Sequence, residues 1–454
     1  SIIVYAAPGT IMPPIRPIPA IQYAGAPDVS ARIAPPYDVL DETAKAALLA
    51  TDEHNIVAVD LPHLPAKTVG PDSTYHAAGE RYRSWLKQGV LHRRDRPAMF
   101  VYQQTYTARG SRFERRGLIA NVRVQPFGPG PDGQGGIHPH EQTFSGPKED
   151  RLKLMRATRA QLSPIFGLHS DPAGEVHKLL SKVIESRKAD AFGRTTNDDV
   201  LHEIWAVDSP DAIEPLVEAF ARKDVFIADG HHRYNTALNY KAELEQAAGP
   251  LPDGHPATGC LFVLVAMQDP GMIVLPTHRV LGGMQKITWA DLTKAAAGRL
   301  SITPFAGGAD KLPALEAALA DAGPHALGLF NPHESAAPLA IATPFDPDPL
   351  KTTHGDMSQA WRQLDVAIVQ HLLVEQICEP GFCPSGGSVT WKFPHSLDQL
   401  RLDATAAGYQ LGVVMRATPL EAIEQVSAAG ELMPQKSTFF YPKLATGMVI
   451  NPLE

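Results

Sequence analysis

Two short strings in this chain gather residue types that can do chemistry. The first is Asp229-Gly230-His231-His232-Arg233, which follows the apolar run Val225-Phe226-Ile227-Ala228. That run reads as a buried strand, Gly230 breaks it, and the residues beyond carry Tyr234, Ala237, Leu238 and Ala242 on one helical face. A strand that feeds a glycine turn and then a helix makes an anion site. The first helical N–H groups have no partner inside the helix, and the macrodipole is positive there. Gly230 lets the backbone approach a phosphate, and Arg233 can fork onto phosphate oxygens. Asp229 would repel an anion, so its position suits a magnesium ligand, a base or a helix cap. A plainer account, in which Asp229 caps the helix and both histidines are solvated, fits the spacing equally well. One metal held by His231 and His232 together is disfavoured, because neighbours on a helix diverge by about 100°.

The second string is His138-Pro139-His140-Glu141, reached through the glycine-dense segment 127–136. Glu141 beside two imidazoles suits a general base, although such a string can also be a polar loop. Thr277-His278-Arg279 ends a strand pattern and could grip a carboxylate or phosphate, or form a loop salt bridge. Lys148 and Arg151 could add positive charge near Glu141, or simply open a charged helix. The segment 430–438 falls short of a Walker A loop. Gln435 replaces the second glycine and Pro434 lacks an amide donor, while Lys436, Ser437 and Lys443 could still line a site.

These groups need elements to hold them. Helical spacing is expected near 41–51, 74–88, 148–159, 173–188, 210–222 and 419–429, with one long helix over 357–378. Residues 98–106 and 117–125 read as a hairpin, and 163–168, 203–207, 260–268 and 273–275 as strands. Residues 1–30 are rich in proline and glycine and are expected to wrap the surface. With 454 residues, two or three domains are expected: 1–94 an N-terminal segment with helices, 95–285 a catalytic core with a small mixed sheet, and 286–454 a C-terminal α/β domain.

Composition narrows the function. A net charge of -8 argues against life on nucleic acid. The basic stretches 93–96 and 109–116 read as a solvated turn and hairpin tip. Three cysteines make no disulfide framework and suit a reducing cytoplasm, and Cys378 and Cys383 alone cannot complete a structural zinc site. No apolar run is long enough for a membrane helix, and residues 1–20 lack the charged start of a signal peptide.

Taken together, Pro139-His140-Glu141-Gln142 and Ala228-Asp229-Gly230-His231-His232-Arg233 resemble the motifs of free L-serine kinases of the ParB/sulfiredoxin-like superfamily. Over nearly its full length the chain also resembles a bacterial family known as domain of unknown function ten-fifteen. The landmarks of that likeness are 34–38, 148–151, 163–166, 276–279 and 433–438. The kinase resemblance implies an α/β mixed-sheet nucleotide-binding core. It implies ATP or ADP with Mg2+ and transfer of a phosphoryl group to or from a small hydroxyl compound, with L-serine or O-phosphoserine the best guess. Glu141 would deprotonate the acceptor, Asp229 would meet the reacting phosphate with magnesium, and Gly230, His231, His232 and Arg233 would hold the nucleotide phosphates. His138, His140, Arg151, Thr277, His278, Arg279, Lys436 and Ser437 are the further substrate-binding candidates. The expected partners are a small-molecule substrate and at most a second copy of the chain, with neither nucleic acid nor membrane. His231 stands where sulfiredoxin has its reactive cysteine, which argues against sulfinic acid repair. The alternative is a ParB-like switch that binds CTP or ATP without small-molecule turnover, and a metal-dependent hydrolase built on His138, His140 and the 231–232 pair is a third reading.

Overall fold

The computed structural model describes residues 15–108, 110–130, 133, 135–141 and 145–454. The chain divides into two compact units, one of residues 1–139, 143–272 and 442–454, the other of 140–142 and 273–441.

The first unit is built on a nine-stranded mixed sheet. Its strands in chain order are β1 (Ile15–Arg16), β2 (Met99–Ala108), β3 (Ser111–Arg123), β4 (Ile137–His138), β5 (Ile165–His169), β6 (Ala191–Thr195), β7 (Val200–Val207), β8 (Val225–Asp229) and β9 (Gly259–Ala266). They lie in the order β4-β8-β5-β9-β3-β2-β7-β6, and β1 pairs with the end of β3 that β2 leaves uncovered. β8 runs parallel to β4 and antiparallel to β5, and β9 runs parallel to β5. β9 is buried at every position, as its near-continuous apolar sequence requires, whereas β7 alternates along part of its length. The helices are α1 (Glu42–Thr51), α2 (Asp72–Lys87), α3 (Ser145–Thr158), α4 (Glu175–Ser186), α5 (Pro210–Phe220) and α6 (His231–Ala248). Val176 and Leu180 of α4 join Ile213, Leu216 and Phe220 of α5 and Tyr234 and Ala237 of α6 in the core over the sheet.

In the second unit β10 (Ile273–Leu275) pairs with a late strand, Phe439–Tyr441. Its six-stranded sheet takes β11 (Arg279–Gly282), β12 (Leu300–Phe305), β13 (Leu327–Phe330), β14 (Leu339–Pro344), β15 (Thr390–Lys392) and β16 (Tyr409–Val414) in the order β12-β14-β13-β16-β11-β15. β17 is the Phe439–Tyr441 strand.

Three expectations are corrected. The segment 15–24 is not a surface wrap, residues 1–14 lying outside the described residues: Ile15, Ile18 and Ile21 are buried, and Ile18 pairs with Ala98. Its apolar residues alternate with prolines that set extended backbone. The hairpin 109–116 is not uniformly solvated, since Arg115 is 1% exposed. The expected long helix over 357–378 is broken. Leu364 takes an extended conformation between short turns, and Val369–Cys378 is wound as a π-helix. No helix among the described residues is long and apolar enough to cross a membrane.

Candidate functional site

β8 and α6 meet at a constructed turn. The β5 register shifts between Ile227 and Asp229, a bulge that leaves Ala228 unpaired and re-aims the carboxylate that follows. Gly230 has φ +102°, a backbone that disfavours any side chain, and as the N-cap it offers no side chain to cap the helix that begins at His231. Arg233 folds back over this turn. Its guanidinium donates to the carbonyl of Pro164 and lies 3.5 Å from Asp229 Oδ1. A Cβ on Gly230 would sit 3.1 Å from that guanidinium, so any side chain there would also have to push Arg233 aside. Tyr234 anchors the helix start from the core side, exchanging hydrogen bonds with the backbone of Gln125 at 2.7 and 3.1 Å.

The other oxygen of Asp229 accepts from Lys443 Nζ at 2.9 Å. Burial alone would raise the Asp229 carboxyl. The charges of Lys443 and Arg233, the Lys443 hydrogen bond and the charge of His231 override it, holding the group well below the ordinary carboxylate range. Lys443 is delivered by a buried device. Arg115 donates to Gln104 Oε1 and to the carbonyl of Pro442, and Gln104 Nε2 donates to the carbonyl of Lys443 at 2.9 Å. Arg115 also lies 4.7 Å over the Phe166 ring. The motif alone says nothing of Arg115. Nothing in a basic hairpin distinguishes a solvated arginine from one that holds two segments together.

His231 is buried at this turn and His232 half-buried beside it. His138 lies elsewhere. β4 pairs it with Phe226, its ring stacks on Phe226 at 5.1 Å, and Nε2 is 3.7 Å from Asp224, at the opposite end of β8 from Asp229. Arg151 stacks 3.9 Å over Tyr37 and donates to Asp60 and Asp150. Asp150 also accepts from Tyr75 at 2.7 Å, and Ser163 donates to Asp60 at 2.9 Å. Tyr37, Asp60, Arg151, Ser163, Arg233 and Thr236 line one small cavity of about 40 Å³. The landmarks at 34–38, 148–151 and 163–166 thus converge behind Arg233.

The remaining candidates gather in the second unit. Glu141 bridges Met433, with Met433 N–H donating to the His140 carbonyl at 2.8 Å. Glu141 Oε1 accepts from the Ser437 amide at 3.0 Å, and His140 Nε2 meets Thr438 Oγ1 at 2.9 Å. Lys436 sits at φ +58°, turning the loop so that this amide faces Glu141. No helix follows the loop, as a Walker loop would need; β17 does. Arg279 pins the loop from behind, donating to the carbonyls of Lys436 and Thr277 at 2.9 and 2.7 Å. Burial pulls its pKa down to about 10, with the charge of Glu141 opposing. His278 Nδ1 accepts from the Met415 amide at 3.1 Å, and burial, helped by Arg279, lowers it to about 4. Thr277 is buried, and its hydroxyl has no hydrogen-bond partner among the described residues.

A magnesium ion on Asp229 would have to compete with the two cations already on its oxygens. Among the described residues no three His, Cys, Asp or Glu side chains are arranged to hold a metal. The group at Asp229 therefore does not fit a metal centre.

A family model described as "Protein of unknown function (DUF1015)" matches residues 15–367. The chain belongs to this family. Among solved structures, this DUF1015 chain is similar to a free serine kinase variant in complex with ADP, at 12% identity and TM-score 0.32, over 69% of this chain and 89% of that one. It is similar to a conserved hypothetical protein from Pyrococcus furiosus at 13% identity and TM-score 0.30, over 69% and 92%. It is also similar to SbnI with a C-terminal truncation from Staphylococcus aureus, at 12% identity and TM-score 0.34, over 74% and 87%. No curated protein gave a match.

Proposed function

We propose that this protein is a nucleotide-dependent phosphotransferase. It moves a phosphoryl group between ATP or ADP and a small hydroxyl compound, with L-serine or O-phosphoserine the first candidate. The observation that carries the reading is the gathering of Lys443 and Arg233 around Asp229 at a glycine turn that opens an 18-residue helix. Phosphoryl transfer asks a protein mainly for positioning and charge neutralisation, and a helix start flanked by two cations supplies both. The motif resemblance, from Pro139 to Gln142 and from Ala228 to Arg233, points the same way.

In this reading the nucleotide phosphates lie on the first-turn amides of α6. Glu141 is the base, the role that the motif resemblance implies for it. As the acceptor oxygen bonds to the terminal phosphorus, the bond to the bridging oxygen breaks and the acceptor's proton passes to the Glu141 carboxylate. The nucleotide phosphates could bring their own magnesium, which would supply further charge neutralisation there. Arg151, Arg279 and His278 serve as supports, because their polar groups engage protein partners.

The test is phosphorus NMR of the protein with ATP or ADP, magnesium and a panel of hydroxy-amino acids and their phosphate esters. Glu141→Gln should cut turnover by about 10²- to 10⁴-fold while nucleotide affinity holds. Wild-type protein without turnover, or a Glu141→Gln variant as active as wild type, refutes the proposal. A nucleotide-binding switch is favoured by one observation, the Ser437 amide on the Glu141 carboxylate, which already engages one of the oxygens a base would use. It predicts nucleotide binding that depends on Arg233, with no acceptor turned over.

A further inference from the structure

Asp229 occupies the motif position to which the kinase resemblance gives a magnesium ion, yet its oxygens face Lys443 at 2.9 Å and Arg233 at 3.5 Å. We infer that Asp229 is a positioning residue whose work is to hold Lys443, and that the Lys443 ammonium is a fixed phosphate-binding cation of the site proposed above. The inference rests on that proposal and assigns its charge to a residue outside both motifs.

The arrangement of Lys443 is costly to build. Its backbone carbonyl is held by Gln104, and the preceding carbonyl, of Pro442, is held by Arg115. Arg115 is itself 1% exposed. Burying a guanidinium to grip carbonyls of a returning segment is costly in desolvation, and here it fixes where residue 443 falls. An ion pair on an unconstrained surface would need no such support, and would contribute little. The pair is instead only about one-fifth exposed on each side and lies at the start of α6. An ammonium has three donors on a rotatable head, so a lysine that holds a carboxylate can still reach a phosphate oxygen. A carboxylate at a phosphate site is otherwise repulsive. Paired with Lys443 and next to Arg233, it becomes the group that aims positive charge at the helix start.

The experiment is calorimetric binding of adenosine, AMP, ADP and ATP, each with magnesium and with EDTA, to wild type, Lys443→Met, Lys443→Arg, Asp229→Asn and the Asp229→Asn/Lys443→Met double variant. Lys443→Met should weaken ADP and ATP by about 10- to 100-fold, the size of one charge-assisted hydrogen bond, and adenosine by less than about 3-fold. Lys443→Arg should recover part of the loss. Asp229→Asn should weaken ADP equally in magnesium and in EDTA, because it acts through Lys443. If Lys443→Met does not fold, the double variant, which removes both charges together, replaces it and should show the same loss. A Lys443→Met or double variant that binds ADP like wild type, or an Asp229→Asn defect confined to magnesium, overturns the inference and leaves the phosphotransferase proposal standing. A wild-type protein that binds no nucleotide in either condition overturns both.

Discussion

Gly230 illustrates how much one residue carries. Its φ of +102° lies where an added Cβ strains the backbone, and that Cβ would also press on the Arg233 guanidinium at 3.1 Å. Gly230→Ala should therefore destabilise the protein by about 1–3 kcal/mol, read as a lower urea midpoint at unchanged slope; an unshifted midpoint would mean the turn relaxes freely. Buried histidines carry a second residue-scale effect. Burial lowers His169 to about 4 and His202 to about 3, and burial with Arg279 lowers His278 to about 4. His202 is held between the Tyr102 hydroxyl at 2.6 Å and Thr195 at 3.1 Å. A depressed histidine adds stability that is complete above its unfolded pKa of about 6.5 and is lost as pH falls toward the folded value. His169 and His278 can each contribute up to about 3 kcal/mol, and His202 somewhat more. Urea midpoints should thus fall steeply between about pH 6.5 and 4. His202→Gln should flatten that slope, and an equally steep slope in the variant would contradict the assignment.

At the scale of elements, the close crossing of α2 on α3 gives a case where two effects compete. Gly79 lies within α2, and a Cβ there would fall on the backbone carbonyl of Ala157, which also accepts from Arg83 Nη1 at 2.9 Å. Glycine to alanine inside a helix ordinarily gains about 1 kcal/mol. Here the backbone cannot yield cheaply, and overpacking costs about 1–3 kcal/mol. Gly79→Ala should be net destabilising in urea unfolding, and a stabilised variant would show that the crossing is loose. Elements of this kind were unequally legible in the sequence. The strand and helix around Gly230 declare themselves, because an apolar run, a glycine and a helical stripe agree on one answer. So does the hairpin of β2 and β3. The strand Thr390–Lys392 and the helix Leu397–Thr405 pass unnoticed, since a short edge strand and a short helix give too few periods to stand out. The interruption at Leu364 is hidden because no proline or glycine marks it. For the candidate site, both motifs are readable by residue type. That Lys443 belongs beside Asp229 is not, because a contact between residues far apart in sequence leaves no local periodicity.

At the scale of the molecule, the segment 442–454 is part of the first unit although the whole of 273–441 precedes it. Leu444, Met448, Val449, Ile450 and Leu453 are all buried. Ile450 exchanges backbone hydrogen bonds with Ile21 at 2.9 Å each way, and Thr446 pairs with Ala34. Asn451 and Pro452 pair with Gln161 and Ala160. Five large apolar side chains at about 1.5–3 kcal/mol each amount to roughly 8–15 kcal/mol of burial. That is as large as the entire net stability of a typical domain, about 5–15 kcal/mol. A chain ending at Tyr441 should therefore fail to close the first unit, while the second keeps its own core of Leu312, Leu315, Phe330, Leu339 and Val414. Hydrogen exchange distinguishes the outcomes. Peptides from β3 and β9 should lose protection in the truncated chain while those from β13 and β14 retain it. Protection kept in β3 and β9 would mean that the segment decorates the first unit instead of completing it, and the fixed placement of Lys443 would lose its foundation.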